Sequence, residues 1–178
     1  MRLGQSVHVS PLRVKLRRLM ARDPGLNASC LEDWLLDLAN LRGVRSVSRS
    51  HEHRNSTWLA PDLNELSNAE LVIAISQPQN LDRPQWLRAA VELISRQDLD
   101  PKALIFLAKR ERCTRILAAL SRQALIAEAD HPLWRLLSEE FQDAKPLSDS
   151  LIHWTRLTSK RADGRSRKSH IPYRPLAL

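Results

Sequence analysis

The sequence predicts an α+β fold that is mostly helical, with a small βαββ-like N-terminal portion, a bundle of short helices and a basic C-terminal arm. Two observations favour this fold. Apolar residues alternate with a period of two near the N-terminus, whereas they recur at spacings of three and four from residue 67 onward. The 178 residues include only 4 glycines but 10 prolines, which suits helices with rigid stops. We place the three parts at 1–62, 63–157 and 158–178.

Residues 10–20 fit either a strand or a helix. In a strand, one side would carry Leu12, Val14 and Leu16 and the other Arg13, Lys15 and Arg17. In a helix, Ser10 would cap the N-terminus and Pro11 would take the first position. A helix would also bring together Leu12, Leu16, Leu19 and Met20. We favour the strand because VHV precedes it and because a hairpin predicted further along needs a partner.

A helix over residues 30–42 is the clearest element. Ser29-Cys30-Leu31-Glu32 reads as a capping box, in which the serine hydroxyl and the glutamate carboxylate bind backbone N–H groups at the helix start. Gly43 supplies a left-handed stop. The apolar stripe of this helix comprises Leu31, Trp34, Leu35, Leu38 and Leu41.

A hairpin is predicted after this helix. Residues 44–50 are rich in Val and Ser, HEHRN has the polarity of a turn, and STWLA resumes an extended character before Pro61. Val44, Val47 and Trp58 would fasten the hairpin to the helix.

Strand, helix and hairpin over residues 6–62 resemble the heavy-metal-associated domains of metallochaperones and metal-pump termini. The resemblance implies a small ferredoxin-like fold. That family places a CxxC between the first strand and the helix, where this chain reads Met20-Ala-Arg-Asp-Pro. The two-cysteine metal site therefore cannot be carried over. No family is suggested for residues 63–178.

Capping signals predict the helices that follow residue 67. Ser67 and Glu70 form a second capping box that opens a short helix, and residues 77–80 break it. A further helix then spans about 82–95.

Asp100 and Pro101 start the next helical stretch, which runs through the charged sequence KRER. Periodicity leaves open whether this stretch is one long helix or two helices bent near Lys109. Asp130-His131-Pro132 opens another helix, and a last one is predicted over 147–157. Short, capped helices with tight links favour an antiparallel bundle.

Basic residues concentrate at both ends of the chain. Lys and Arg against Asp and Glu number 10 to 5 in residues 1–60, 11 to 13 in residues 61–145 and 7 to 2 in residues 146–178, within a net charge of +8. This distribution favours an acidic partner, either an acidic protein surface or nucleic acid. The simpler alternative is that the charge serves solubility.

The candidate binding residues are basic side chains of the N-terminal portion and the C-terminal arm. They are Arg13, Lys15, Arg17, Arg18, Arg45, Arg49, Lys160, Arg161, Arg165, Arg167 and Lys168. On a sheet face such residues would neutralise phosphates without reading sequence, although they lack interleaved aromatics for stacking on bases. A solvated outer face is the alternative role. The arm ends in IPYRPLAL, which could dock on a partner or on the protein itself.

His51 and His53 offer an alternative, metal-binding site on either side of Glu52. Two imidazoles at i and i+2 lie on one face of a strand and suit Zn, Cu or Ni. A metal site needs three or four ligands, and the adjoining strand segments supply no further His, Cys or acid, although His8 is a conceivable donor. We therefore predict a solvated turn, no metal and no cofactor.

The charged sequence at 109–112 carries a carboxylate near the predicted buried stripe. Glu111 would need an arginine partner there, and Arg88 or Arg115 could serve, so we predict a structural ion pair rather than a catalytic acid. Cys113 has basic neighbours that could lower the pKa of its thiol. Its position among apolar residues of a helix nevertheless predicts an unreactive, buried cysteine.

The sequence lacks the motifs of common catalytic sites. It contains no phosphate-binding glycine-rich loop, no nucleophile elbow and no histidine-bearing zinc helix. Cys30 and Cys113 fit neither a disulfide framework nor zinc spacing, which favours a reducing interior. Since no apolar run is long enough to cross a membrane, we expect a location in the bacterial cytoplasm, with an organellar transit peptide as the alternative.

We therefore predict a non-catalytic binding or adaptor protein that engages an acidic partner through basic N-terminal and C-terminal segments. Sequence-independent nucleic-acid binding and metal handling through His51 and His53 are the alternatives. The sequence leaves the oligomeric state open.

Overall fold

The computed structural model describes residues 10–28, 30–45, 59–81, 83–96, 99–147 and 152, and these residues form helices and no strand. The helices are α1 Pro11–Arg22, α2 Leu31–Leu41, α3 Asn68–Ile75, α4 Pro84–Arg96, α5 Pro101–Arg110, α6 Thr114–Ala127 and α7 Pro132–Glu140, with a 3-10 turn at Pro78–Asn80. The mostly helical character predicted from the sequence is confirmed. The predicted βαββ-like N-terminal portion is wrong.

α1 is a helix where we favoured a strand. Ser10 is the N-cap residue, its Oγ accepts a hydrogen bond from the Arg13 N–H at 3.1 Å, and Pro11 follows at the first helical position. Leu12 and Leu19 are buried on one face of the helix. The cap and the helical spacing of the leucines outweigh the alternation of period two, because this spacing directs the apolar stripe toward the core.

The correction of α1 removes the basis for a ferredoxin-like fold. A βαββ unit needs a first strand, and the residues proposed for it form a helix. Residues 46–58 of the predicted hairpin lie outside the described residues. The fold implied by the resemblance to heavy-metal-associated domains is therefore not supported.

α2 ends in a Schellman motif, the paired hydrogen bonding that closes a helix with a left-handed residue. Gly43 has φ +88°, and its N–H donates to the Asn40 carbonyl at 2.9 Å. The Val44 N–H donates to the Ala39 carbonyl at 3.1 Å. The predicted stop at Gly43 is confirmed, whereas Ser29 of the predicted capping box lies outside the described residues.

α3 lies at the centre of the helical assembly and packs against α2, α4 and α5. Its buried side chains are Ala69, Leu71, Val72, Ile73, Ala74 and Ile75. The capping box predicted at its start is confirmed. The Glu70 N–H donates to Ser67 Oγ at 3.1 Å, and Glu70 Oε2 accepts the Ser67 N–H at 2.7 Å.

The stretch that begins at Pro101 forms two helices, α5 and α6. Asp100 caps α5 as predicted, with its Oδ1 accepting the Lys102 N–H at 2.9 Å. The break after α5 is a second Schellman motif. The Arg112 N–H donates to the Lys109 carbonyl at 3.4 Å, and the next N–H, from Cys113, donates to the Ala108 carbonyl at 2.9 Å.

α6 and α7 pack against each other toward the end of the described chain. His131 caps α7 by accepting the Trp134 N–H at 3.4 Å, and Pro132 starts the helix as predicted. The buried Trp134 indole donates to Glu128 Oε2 at 3.2 Å. The last predicted helix, 147–157, lies almost entirely outside the described residues.

One hydrophobic core joins helices from both sides of residue 62. Leu12 and Trp34 belong to the same buried cluster as Trp86 and Leu117. The boundaries drawn at residues 62 and 157 stay predictions. Among the helices described, none combines the length and the apolar character needed to span a bilayer.

Candidate binding surface

The N-terminus of α1 meets the C-terminus of α5 at a buried carboxylate. Glu111 directly follows α5, its side chain is 1% exposed, and Ser10 Oγ donates a hydrogen bond to its Oε1. Arg13 Nε lies 3.9 Å from Glu111 Oε2. A buried carboxylate is costly unless donors and a counter-charge surround it, so these contacts fix α1 against α5.

The buried position of Glu111 agrees with the sequence prediction, but the partners differ. We expected Arg88 or Arg115, and the observed hydrogen bond and ion pair come from α1 instead. Arg115 donates to the carbonyl oxygens of Lys145 and Pro146 at 3.0 and 3.1 Å. The sequence prediction missed Ser10 and Arg13 as partners because it treated residues 10–20 as a strand. Nothing in the sequence placed such a strand beside Glu111.

Arg112 has a left-handed backbone conformation beside this junction. Its φ of 60° is the only positive φ of a non-glycine residue in the described part of the chain. A left-handed residue other than glycine costs about 1–2 kcal/mol. The Arg112 side chain is exposed, and neither a hydrogen bond nor an ion pair joins it to another described residue. The fold therefore holds this guanidinium at the surface at some cost in stability.

Four more exposed side chains lie on α1 and on the second half of α5, and together with Arg112 we name them the α1–α5 basic surface. It comprises Arg13, Arg17, Phe106, Arg110 and Arg112. Arg13 and Arg17 are four residues apart and share a face of α1. Arg110 and Arg112 flank Glu111, which contacts Arg13. The Arg110 guanidinium lies 5.8 Å from the centroid of the Phe106 ring, and Phe106 is 58% exposed.

Other basic side chains of α1 are neutralised by carboxylates on the side that faces α3. Lys15 Nζ lies 2.7 Å from Glu70 Oε2, and Arg22 pairs with Glu65. Burial raises the pKa of Glu70, but hydrogen bonds from Lys15 and Ser67 outweigh burial and hold this pKa below its ordinary value. These lysine and arginine side chains are therefore bound within the protein.

The row of basic residues predicted on one sheet face divides between two sides of α1. The helix directs Lys15 to the side of α3, and the exposed Arg18 lies one turn further along that side. Arg13 and Arg17 remain together on another side of α1, where Arg13 approaches Glu111. Residues at i, i+2 and i+4 share one face of a strand, but a helix directs them to different faces. The basic patch is therefore smaller than predicted.

Arg45 is exposed just beyond α2, and it lies in no strand. Its backbone N–H donates to both carboxylate oxygens of Glu92 at 3.0 Å. The remaining predicted residues lie outside the described part of the chain, so their roles stay predictions. These residues are Arg49, His51, His53, Lys160, Arg161, Arg165, Arg167 and Lys168.

Sequence reasoning missed Phe106, Arg110 and Arg112 as binding residues. An aromatic side chain four residues before an arginine, both off the apolar stripe, could have marked Phe106 and Arg110. No sequence signal marks the left-handed Arg112, because glycine is the usual residue at that position.

Cys113 is poorly placed for nucleophilic chemistry. Its side chain is fully buried, and burial raises the pKa of its thiol to about 12, with the charge of Glu111 adding to the rise. A thiol with such a pKa is almost entirely protonated near neutral pH. The described residues also include no group of three side chains that could hold a metal ion.

Comparisons with models of protein families, with curated proteins and with solved structures found no match to this chain.

Proposed function

We propose that this is a non-catalytic binding protein that engages an acidic partner through the α1–α5 basic surface. The observation that carries the proposal is Arg112. An arginine occupies a left-handed position where glycine would be more stable, and its exposed guanidinium contacts no polar group among the described residues. Function is a physical reason for such a residue, because strained backbone positions concentrate at binding sites.

The surroundings of Arg112 favour an acidic protein segment as the partner. Arginine and aromatic residues dominate the energetics of protein interfaces, and the stacked pair of Arg110 and Phe106 provides both. One carboxylate lies near this surface, since Glu140 pairs with Lys109, the neighbour of Arg110 in the chain. Duplex DNA presents one charge per about 1.7 Å, and a continuous row of phosphates would meet this carboxylate. A short acidic segment needs only a few arginines.

The C-terminal arm is a second proposed contact for the same partner. Its basic residues are Lys160, Arg161, Arg165, Arg167 and Lys168. They lie outside the described residues, and their charge alone supports this contact.

Charge-removing variants test the proposal in a fluorescence anisotropy assay. The probe is a labelled polyglutamate peptide, titrated with the full chain at low and at physiological salt. Arg112→Gln and Arg17→Gln are each expected to raise the Kd about three- to tenfold, since each removes a charge that contacts the peptide. Arg135→Gln is the matched control, because Arg135 is exposed, lies on α7 and pairs with Asp130.

Equal weakening by Arg135→Gln and Arg112→Gln would contradict the proposal, because net charge alone would then govern binding. A single-stranded oligonucleotide of the same formal charge is titrated in parallel. Tighter binding to the oligonucleotide, with loss of affinity in Arg112→Gln and a steep salt dependence, would identify nucleic acid as the partner instead. Deletion of residues 158–178 measures the share of the C-terminal arm.

A further inference from the structure

Phe106 differs from every other aromatic side chain in the part of the chain that the structure describes. It is 58% exposed, whereas Trp34, Trp86, Trp134 and Phe141 are each at most 4% exposed. Removing an aromatic ring from water is favourable, so the exposed ring offers apolar area that a partner can cover.

The position of Phe106 on α5 explains its exposure. Leu104 and Ala108 are the buried residues of this helix, and Phe106 lies two positions from each of them. Two positions turn a helix by about 200°, which directs the ring away from the core. Packing of the core therefore does not require an aromatic residue there.

Arg110 gives the exposed ring a charged neighbour. Its guanidinium lies over the Phe106 ring, 5.8 Å from the centroid, in a cation–π contact that orients the arginine. The pair combines an apolar contact area with a positive charge, which suits a partner that carries both an apolar side chain and a carboxylate.

A short segment of a partner can reach the ring and two arginines at once. Phe106 and Arg110 are four residues apart on α5, which corresponds to about 6 Å along the helix axis. Arg112 follows two residues later, so its Cα atom is at most about 8 Å from that of Arg110. An extended segment of about four or five residues covers this distance at about 3.3 Å per residue.

The single exposed ring favours a peptide over single-stranded nucleic acid. Proteins that bind single strands stack successive bases on several aromatic side chains, and the described residues expose only Phe106. An interface between proteins often depends on one aromatic anchor with arginines beside it.

We propose that the acidic segment bound by the α1–α5 basic surface carries an aromatic or large aliphatic side chain that packs on Phe106, with carboxylates on either side of it. This specificity rests on the proposed function, since charge brings the segment to the surface and the apolar contact selects among acidic segments. Salt screens attraction between exposed charges but does not screen the apolar contact. The selectivity should therefore persist at salt concentrations that weaken binding.

Two labelled peptides of equal charge test the specificity. EEEFEEE has one phenylalanine between glutamates, and EEEAEEE has alanine at the same position. Both are titrated with the full chain in the anisotropy assay at low and at physiological salt. EEEFEEE is expected to bind about five- to tenfold more tightly at both salt concentrations, while salt weakens the binding of both peptides.

Variants of the full chain assign the preference to its source. Phe106→Ala should abolish the preference for EEEFEEE, and Phe106→Leu should retain part of it because leucine is apolar. Both replacements suit an exposed helical position, since alanine and leucine are strong helix formers. Leu63→Ala is the matched control and should preserve the preference, because Leu63 is 53% exposed and lies before α3, outside the α1–α5 basic surface.

The specificity and the proposed function fail in different ways. Unchanged affinity for both peptides in Arg112→Gln would contradict the proposed function. Equal affinity for the two peptides in the unaltered chain, or a preference that survives Phe106→Ala, would overturn the apolar contact and leave the charge contact in place. Tighter binding of the single-stranded oligonucleotide than of either peptide, lost in Phe106→Ala, would overturn it in favour of base stacking.

Discussion

At the scale of single residues, the surroundings of Cys30 and Cys113 make their thiols unequal. Cys113 is fully buried, Gln77 Nε2 lies 3.4 Å from its Sγ, and burial raises its thiol pKa to about 12. Cys30 is only half-buried and precedes the first residue of α2. Thiolates react with alkylating reagents, so exposure and pKa together decide which cysteine reacts.

We expect iodoacetamide at pH 8 to label Cys30 but not Cys113 in the folded protein. With a pKa of about 12, only about one Cys113 thiol in ten thousand is ionised at that pH, and burial blocks access to it. Peptide mass spectrometry measures the label at each position. The Cys30→Ser variant should remain almost unlabelled when folded. In denaturant, both cysteines of the unaltered chain should react. Rapid labelling of Cys113 in the folded protein would contradict its burial.

The burial of Glu111 could be predicted from the sequence, but its partners could not. The helical spacing from Leu104 and Leu107 places Glu111 beside the apolar stripe, and the structure buries it. Its contact with Ser10 spans 101 residues and depends on how α1 packs. Periodicity within one helix carries no information about which other helix lies against it.

At the scale of elements, α2 and α5 end in the same Schellman motif with different residues at its left-handed position. α2 uses Gly43 at φ +88°, and α5 uses Arg112 at φ 60°. An added Cβ at Gly43 would meet no atom within 4 Å, so the difference between the two sites is conformational rather than steric.

Removing glycine from position 43 and introducing it at position 112 should change the free energy of unfolding in opposite directions. Gly43→Ala is expected to lower the free energy of unfolding by about 1 kcal/mol, and Arg112→Gly to raise it by about 0.5–1 kcal/mol, because glycine adopts positive φ at little cost. Denaturant melts measure both. Arg112→Ala is the control and should change stability little, since it keeps the left-handed penalty. A loss of stability in Arg112→Gly would mean that the arginine supports the fold.

Helix starts were more predictable than the fold around them. The caps at Ser67, Asp100 and His131 are local, because each involves residues within one turn, and the structure places helices after all three. α1 also had a local signal in Ser10 and Pro11. The period-two pattern and the need of the predicted hairpin for a partner favour a strand instead, and that strand is wrong. For α1 the capping signal was the better guide.

At the scale of the whole molecule, Ser10 and Glu111 connect the first described helix to the fifth. Ser10 Oγ accepts the Arg13 N–H and donates to the buried Glu111 carboxylate, so one hydroxyl both caps α1 and joins it to α5. Ser67 caps α3 in the same way, with its bonds confined to its own helix.

Ser10→Ala should therefore cost more stability than Ser67→Ala. Loss of an N-cap costs about 1 kcal/mol, and a buried carboxylate that loses its donor adds about 1–3 kcal/mol. Denaturant melts of Ser10→Ala, Glu111→Ala and the double variant isolate the free energy contributed by the Ser10–Glu111 hydrogen bond. In the Glu111→Ala background, Ser10→Ala should remove only the stability that the N-cap provides. The same cost in both backgrounds would show that the two side chains are not coupled.

The contact between Ser10 and Glu111 also determines when α1 can be fixed in place during synthesis of the chain. The two residues are 101 positions apart, and ribosomes add about 5–20 residues per second, so Glu111 is made roughly 5–20 s after Ser10. During that interval Lys15 gains its partner Glu70, which is made 55 residues after it, but Ser10 still lacks Glu111. Leu12 and Leu19 have no completed core to cover them. The arginines of α1 then keep the emerging segment hydrated. α1 can thus be fixed against Glu111 only after α5 has been made.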